Sequence, residues 1–124
     1  MIIKITHKEE DFYSIMGRFF GSRIVQSETK DRIYDDNFKV WYIYLDDNNK
    51  VCSFVSVLNN VIKNIYSTSD MYLEELLLYV KQHVRIAPSI ITRVYEDIYL
   101  NCGFKVTNLD NYKHFVMIRG EENE

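Results

Sequence analysis

The stretch from Phe38 to Tyr66, "FKVWYIYLDDNNKVCSFVSVLNNVIKNIY", constrains the fold more than any other part of the chain. It holds three runs rich in β-branched and aromatic residues, separated by two short polar breaks. "FKVWYIYL" is apolar on both alternations, so it reads as a central strand covered on both faces. "DDNN", Asp46 to Asn49, is a hairpin turn, and "KVCSFVSVL" is the return strand. Asn59 and Asn60 form a second tight turn, because asparagine tolerates the left-handed backbone such turns need. "VIKNIY" is the third strand. An antiparallel meander with two apolar faces needs cover on both sides.

The flanks supply that cover. "MIIKIT" reads as a first strand. Thr6 then opens "THKE", a capping-box pattern with Glu9 three residues on. Phe12, Ile15, Met16, Phe19 and Phe20 follow at helical spacing, and Gly21 is placed to stop the helix. "SETKDRIYDD" is polar and reads as a second, shorter helix or an irregular turn. "MYLEELLLYVKQHV" is an amphipathic helix with Leu73, Leu76, Leu77 and Val80 on its apolar stripe, and Pro88 prevents its continuation. "SIITRV" is a strand, "YEDIYLN" a short helix, and "GFKVTNL" and "HFVMIRG" are two further strands. The expected order is β-α-α-β-β-β-α-β-α-β-β. The class is α/β, with a mixed, mostly antiparallel central sheet and helices on both faces. One domain is expected over residues 1–120, with the acidic "EENE" at 121–124 as a solvated tail.

Bulk properties exclude several functions. A net charge of −3 gives no global drive toward nucleic acid or an anionic membrane. No apolar run approaches the roughly 20 residues of a membrane span, and no signal-peptide core opens the chain. Cys52 and Cys102 make no disulfide framework and read as reduced thiols, so a cytoplasmic location is expected. His7, His83 and His114 show no metal-ligand spacing with the cysteines, so no metal is expected. The composition, rich in Ile, Asn, Lys and Tyr, suggests AT-rich coding, as in some bacteria and their phages.

The four glycines, Gly17, Gly21, Gly103 and Gly120, leave residues 22–102 without one. A Walker loop and a dinucleotide fingerprint both need glycines at a strand-to-helix junction, so neither is present. Near the C-terminus, "IYLNCGF" ends a helix at Gly103 and starts a strand at Phe104. Tyr99 lies one helical turn before that cap.

The element order, together with Tyr99, Leu100, Asn101, Cys102, Gly103 and Phe104, resembles the GNAT superfamily of acyl-CoA N-acyltransferases. In that family the penultimate helix commonly reads Tyr, three residues, Gly-Phe. The resemblance implies acetyl-CoA as cofactor, an amine of a protein or small molecule as acceptor, and Tyr99 as the general acid that protonates the leaving thiolate. It places the acyl group in the splay between strands at Val61–Tyr66 and Ile90–Val94. The cofactor-binding residues would be Ile65, Tyr66, Ser67, Thr68 and Ser69.

The chain departs from the family where the CoA pyrophosphate binds. The family's loop carries an arginine or glutamine and two small residues; here it reads "STSDMYL". Ser67, Thr68, Ser69 and Asp70 can cap the helix themselves, and "STSD" matches a capping box. Asp70 also brings negative charge, on the order of 4 kcal/mol for a like-charge contact at about 4 Å and an effective dielectric near 20. The alternative is therefore a catalytically inactive GNAT-fold module that binds a protein partner, such as a phage-type inhibitor or regulatory protein. The ten tyrosines suit such contacts. Either a monomer or a homodimer fits, and the edge strand expected at "HFVMI" would permit pairing.

Overall fold

The computed structural model describes residues 1–120, and the acidic tail expected at 121–124 lies outside the described residues. The elements are β1 (Ile2–Ile5), α1 (Phe12–Met16), α2 (Arg23–Thr29), β2 (Val40–Leu45), β3 (Val51–Leu58), β4 (Val61–Ser67), α3 (Asp70–His83), β5 (Ser89–Thr92), α4 (Glu96–Asn101), β6 (Lys105–Asn108) and β7 (Phe115–Arg119). Single 3₁₀ turns at Gly17–Phe19 and Arg93–Tyr95 follow α1 and β5. This is the order expected from the sequence.

The meander forms through the expected turns. Asn59 and Asn60 both have positive φ, 51° and 69°, as a two-residue turn with right-handed strand twist requires. In the other turn, the Asp46 carboxylate accepts from the amides of Asn48 and Lys50, and Asn49 takes φ 62°. Alternation then splits the strands between two cores. Trp41, Ile43, Phe54 and Tyr66 face α1, against Phe12, Met16 and Phe19. Tyr42, Val55 and Ile65 face α3, against Leu73, Leu76, Leu77 and Val80. Helices thus cover both faces, as expected.

Three boundaries differ. Glu9 does reach back to the Thr6 amide, at 2.8 Å, but this bond closes a separate turn and α1 begins only at Phe12. The second helix starts before the polar run and takes in only its first three residues: Ser22 caps it by accepting from the Val25 amide, and Lys30 is its C-cap. "DRIYDD" then runs irregularly to β2. Last, "HFVMI" is no edge strand. The strands form two sheets, β1-β2-β3-β4 and β5-β7-β6, so β7 is paired on both sides and the outer strands are β1 and β6.

Candidate functional site

β4 and β5 lie side by side, where the two sheets meet, without a ladder between them. At their start the Ala87 amide donates to the Asn60 carbonyl at 2.7 Å. The Ile62 amide then donates to the Ser89 hydroxyl at 2.9 Å, and that hydroxyl donates to the Ala87 carbonyl. At the far end the Ser67 amide meets the Tyr95 hydroxyl, 3.1 Å away. Partners therefore advance together along both segments, so the strands are parallel. They are fastened at one end and bridged at the other by one side chain. β4 also carries a bulge: Asn64 pairs with Ser56 and Ile62 with Val57, leaving Lys63 as the extra residue.

The N-terminus of α3 sits at the bridged end. Ser69, not Ser67, is its cap, accepting from the Met71 amide at 3.3 Å. Ser67 instead exchanges bonds with the backbone of Ser69, and Thr68 turns its amide and hydroxyl to the Cys52 carbonyl. The expected capping box is absent because Ser67 is still the last residue of β4. Among the described residues, nothing accepts from the amides of Asp70 and Tyr72. The junction is thus half closed. Asp70 is the first residue of the helix and exposed, so solvent screens its repulsion of an anion well below the contact figure. Of the other cofactor-site residues expected here, Ile65 is buried on the α3 face and Tyr66 on the α1 face.

The two phenols of the next turn behave differently. Tyr99 is wholly buried, and its hydroxyl donates to the Thr92 carbonyl at 2.7 Å rather than into an open cleft. Burial first, then nearby Tyr95, Asp31 and Glu96, hold it well above the usual phenol range. Tyr95, four residues earlier, is the phenol that bridges to β4 at Ser67. Burial pushes it up to about 12, partly offset by its bond to Ser67. The i, i+4 spacing from Tyr99 was the one sequence signal for it. Gly103 takes φ 85° as expected of a cap, and Lys81 bonds the carbonyl of Cys102 before it at 2.9 Å.

A polar network on the α1 side of β4 was not foreseen. Lys39, inside the run "FKVWYIYL", is only 1% exposed. Its ammonium donates to the Tyr34 carbonyl at 2.8 Å and to Asn64 Oδ1 at 2.9 Å. The Ser56 hydroxyl donates to that same Asn64 oxygen. Desolvation lowers the Lys39 pKa, opposed by Asp36, Asp35 and Asp31. Burial likewise raises the carboxyl of Asp31, which backbone and Asn64 hydrogen bonds partly offset. A lysine in an otherwise apolar strand was the available signal. Cys52 and Cys102 are both free and buried, and burial pushes the Cys102 thiol up to about 11, so neither is primed as a nucleophile. Among the described residues, no group of three or more His, Cys, Asp or Glu side chains is placed to hold a metal. No helix there is long and apolar enough to cross a membrane.

No family model and no curated protein matches the chain. Solved structures do. One is an acetyltransferase of the GNAT family from Staphylococcus aureus Mu50, at TM-score 0.56 and 13% identity, covering 96% of this chain and 98% of that one. Another is a proposed phosphinothricin N-acetyltransferase, at TM-score 0.50 and 12% identity, covering 95% of each. The chain has a GNAT-like fold, and its sequence shares little with these proteins.

Proposed function

We propose that the chain is an N-acyltransferase that moves an acetyl group from acetyl-CoA to an amine. The observation that carries this reading is the parallel β4–β5 pair, fastened at its start and held at its end only by Tyr95. That end runs directly into the start of α3, where the Asp70 and Tyr72 amides have no acceptor among the described residues. Acetyl-CoA would supply a thioester and a pyrophosphate. The amides of Asp70 and Tyr72 suit the pyrophosphate, because a helix N-terminus favours an anion. The backbone of Ile65 to Ser69 suits the extended arm, once the Tyr95 hydroxyl yields the Ser67 amide.

In the transfer, the amine lone pair forms the new C–N bond and the C–S bond breaks, so a base and an acid are needed. Tyr95 is the donor we assign for the thiolate, because its hydroxyl stands at the end of β4, on the Ser67 amide, and is protonated at neutral pH. Tyr99 stands behind it and fixes the end of β5 through Thr92. The amine's proton is assigned to a relay through water or a backbone carbonyl.

One observation favours the second reading, a catalytically silent protein-binding module: the Tyr95 hydroxyl already occupies the Ser67 amide. Release of free CoA thiol from acetyl-CoA, measured with a panel of small amines and lysine peptides, separates the two. The acyltransferase reading expects release that Tyr95→Phe cuts by roughly 10²-fold or more. Absence of release with every amine, and of acetyl-CoA binding up to millimolar concentration, would leave the silent module.

A further inference from the structure

The face of α2 turned away from the sheet carries Arg23, Gln26, Ser27 and Lys30, three, four and seven residues along one side of the helix. With His114, just before β7, these residues line an open concavity of about 510 Å³. Its walls are held by neighbouring residues at the end of β5. The Thr92 hydroxyl donates to the Thr29 carbonyl in α2, and the Arg93 amide donates to the His114 carbonyl at 2.9 Å. No carboxylate lines it, although the chain is acidic overall. Glu28 of the same helix is not among the lining residues. The hollow is therefore locally cationic.

Lys30 adds an independent sign. It ends α2 at φ 61° and ψ 24°, in the left-handed region, where glycine or asparagine is the comfortable residue. Local backbone preference is set against a lysine here, and its charge lies in the hollow.

We propose that this concavity is a binding site for a small oxyanion, the phosphate or carboxylate end of a metabolite-sized ligand. The guanidinium of Arg23 and the ammonium of Lys30 supply charge, and Ser27, Gln26 and His114 supply further hydrogen-bonding groups for the remaining oxygens. A polymeric anion fits poorly, because Asp31, Asp35 and Asp36 follow in the segment after α2 and no basic stripe extends beyond the hollow.

The test is isothermal titration of the full chain with inorganic pyrophosphate and, separately, with citrate, at low and at physiological salt. Saturable binding of one or both is expected, weakening as salt rises. Pyrophosphate binding more tightly assigns a phosphate ester, and citrate binding more tightly assigns a carboxylate. Arg23→Gln and Lys30→Gly should each weaken binding about tenfold. Lys30→Gly should do so while melting no lower than the parent, since it relieves the left-handed backbone. That keeps the test decisive should Arg23→Gln fold poorly. Absence of saturable binding of either anion would overturn the proposal. So would binding that both variants retain, which would place the anion elsewhere, at α3 for instance. The acyltransferase reading stands or falls separately, on acetyl-CoA.

Discussion

At the start of the β4–β5 pair, two backbone amides and a buried serine hydroxyl lock the strands together. At the other end, a single half-buried phenol spans the gap to Ser67. Opening the first end would leave the amide of buried Ile62 without its acceptor, at roughly 1–3 kcal/mol. Opening the second needs only a side-chain rotation and a replacement partner for one amide. The same pair of strands is thus a structural seam at one end and an access point at the other.

Substitutions that exchange the character of the two ends test this contrast. The largest effect is expected from Ser89→Ala, which removes the acceptor of the Ile62 amide and the donor to Ala87. A loss of about 2 kcal/mol in denaturant unfolding is expected. A loss near zero would mean that the seam is held by packing alone. Tyr99→Phe leaves the Thr92 carbonyl without its donor and should cost about 1 kcal/mol. It should also change turnover far less than Tyr95→Phe; the reverse order in kinetics would return the acid role to Tyr99. Tyr95→Phe, at the access end, should cost under about 1 kcal/mol in stability, since water can reach Ser67.

The smallest change is expected from Asp31→Asn. Burial raises the Asp31 carboxyl in the fold, so the native state binds more protons than the unfolded chain once the pH exceeds the ordinary aspartate value. Stability then falls as pH climbs from there through the raised folded value. The variant should therefore be slightly more stable than the parent at pH 7 and equal to it near pH 3. Denaturant curves at the two pH values decide this, and a variant less stable at pH 7 would mean that the carboxylate's bonds outweigh its burial.

The element order was legible because each strand and helix carried its own period. Asn59–Asn60 and Asp46–Asn49 announced their turns through residues that tolerate positive φ. Gly103 did the same for the stop after α4. Local signals misled where a tertiary partner competed. "THKE" and "STSD" are both genuine capping patterns, yet Glu9 closes a turn ahead of α1, and Ser67 stays in β4 because Ser53 and Tyr95 bond its neighbourhood. The site was legible only at its last helix. Tyr99 was readable from its spacing to Gly103, but which phenol reaches the cleft depends on how β5 ends, and the sequence does not encode that locally. Lys39 and Asp31 meet through a segment without regular structure, so no periodicity joins them.

The central claim is that the cleft opens at Ser67 and admits acetyl-CoA. Its most direct test is titration of acetyl-CoA into ¹⁵N-labelled protein, following the backbone amides of Ser67, Asp70 and Tyr72. Saturable shifts are expected at all three, while the amide of Ile62 at the fastened end stays in place. Shifts absent from Ser67 up to millimolar acetyl-CoA, in a protein whose spectrum shows it folded, would contradict it.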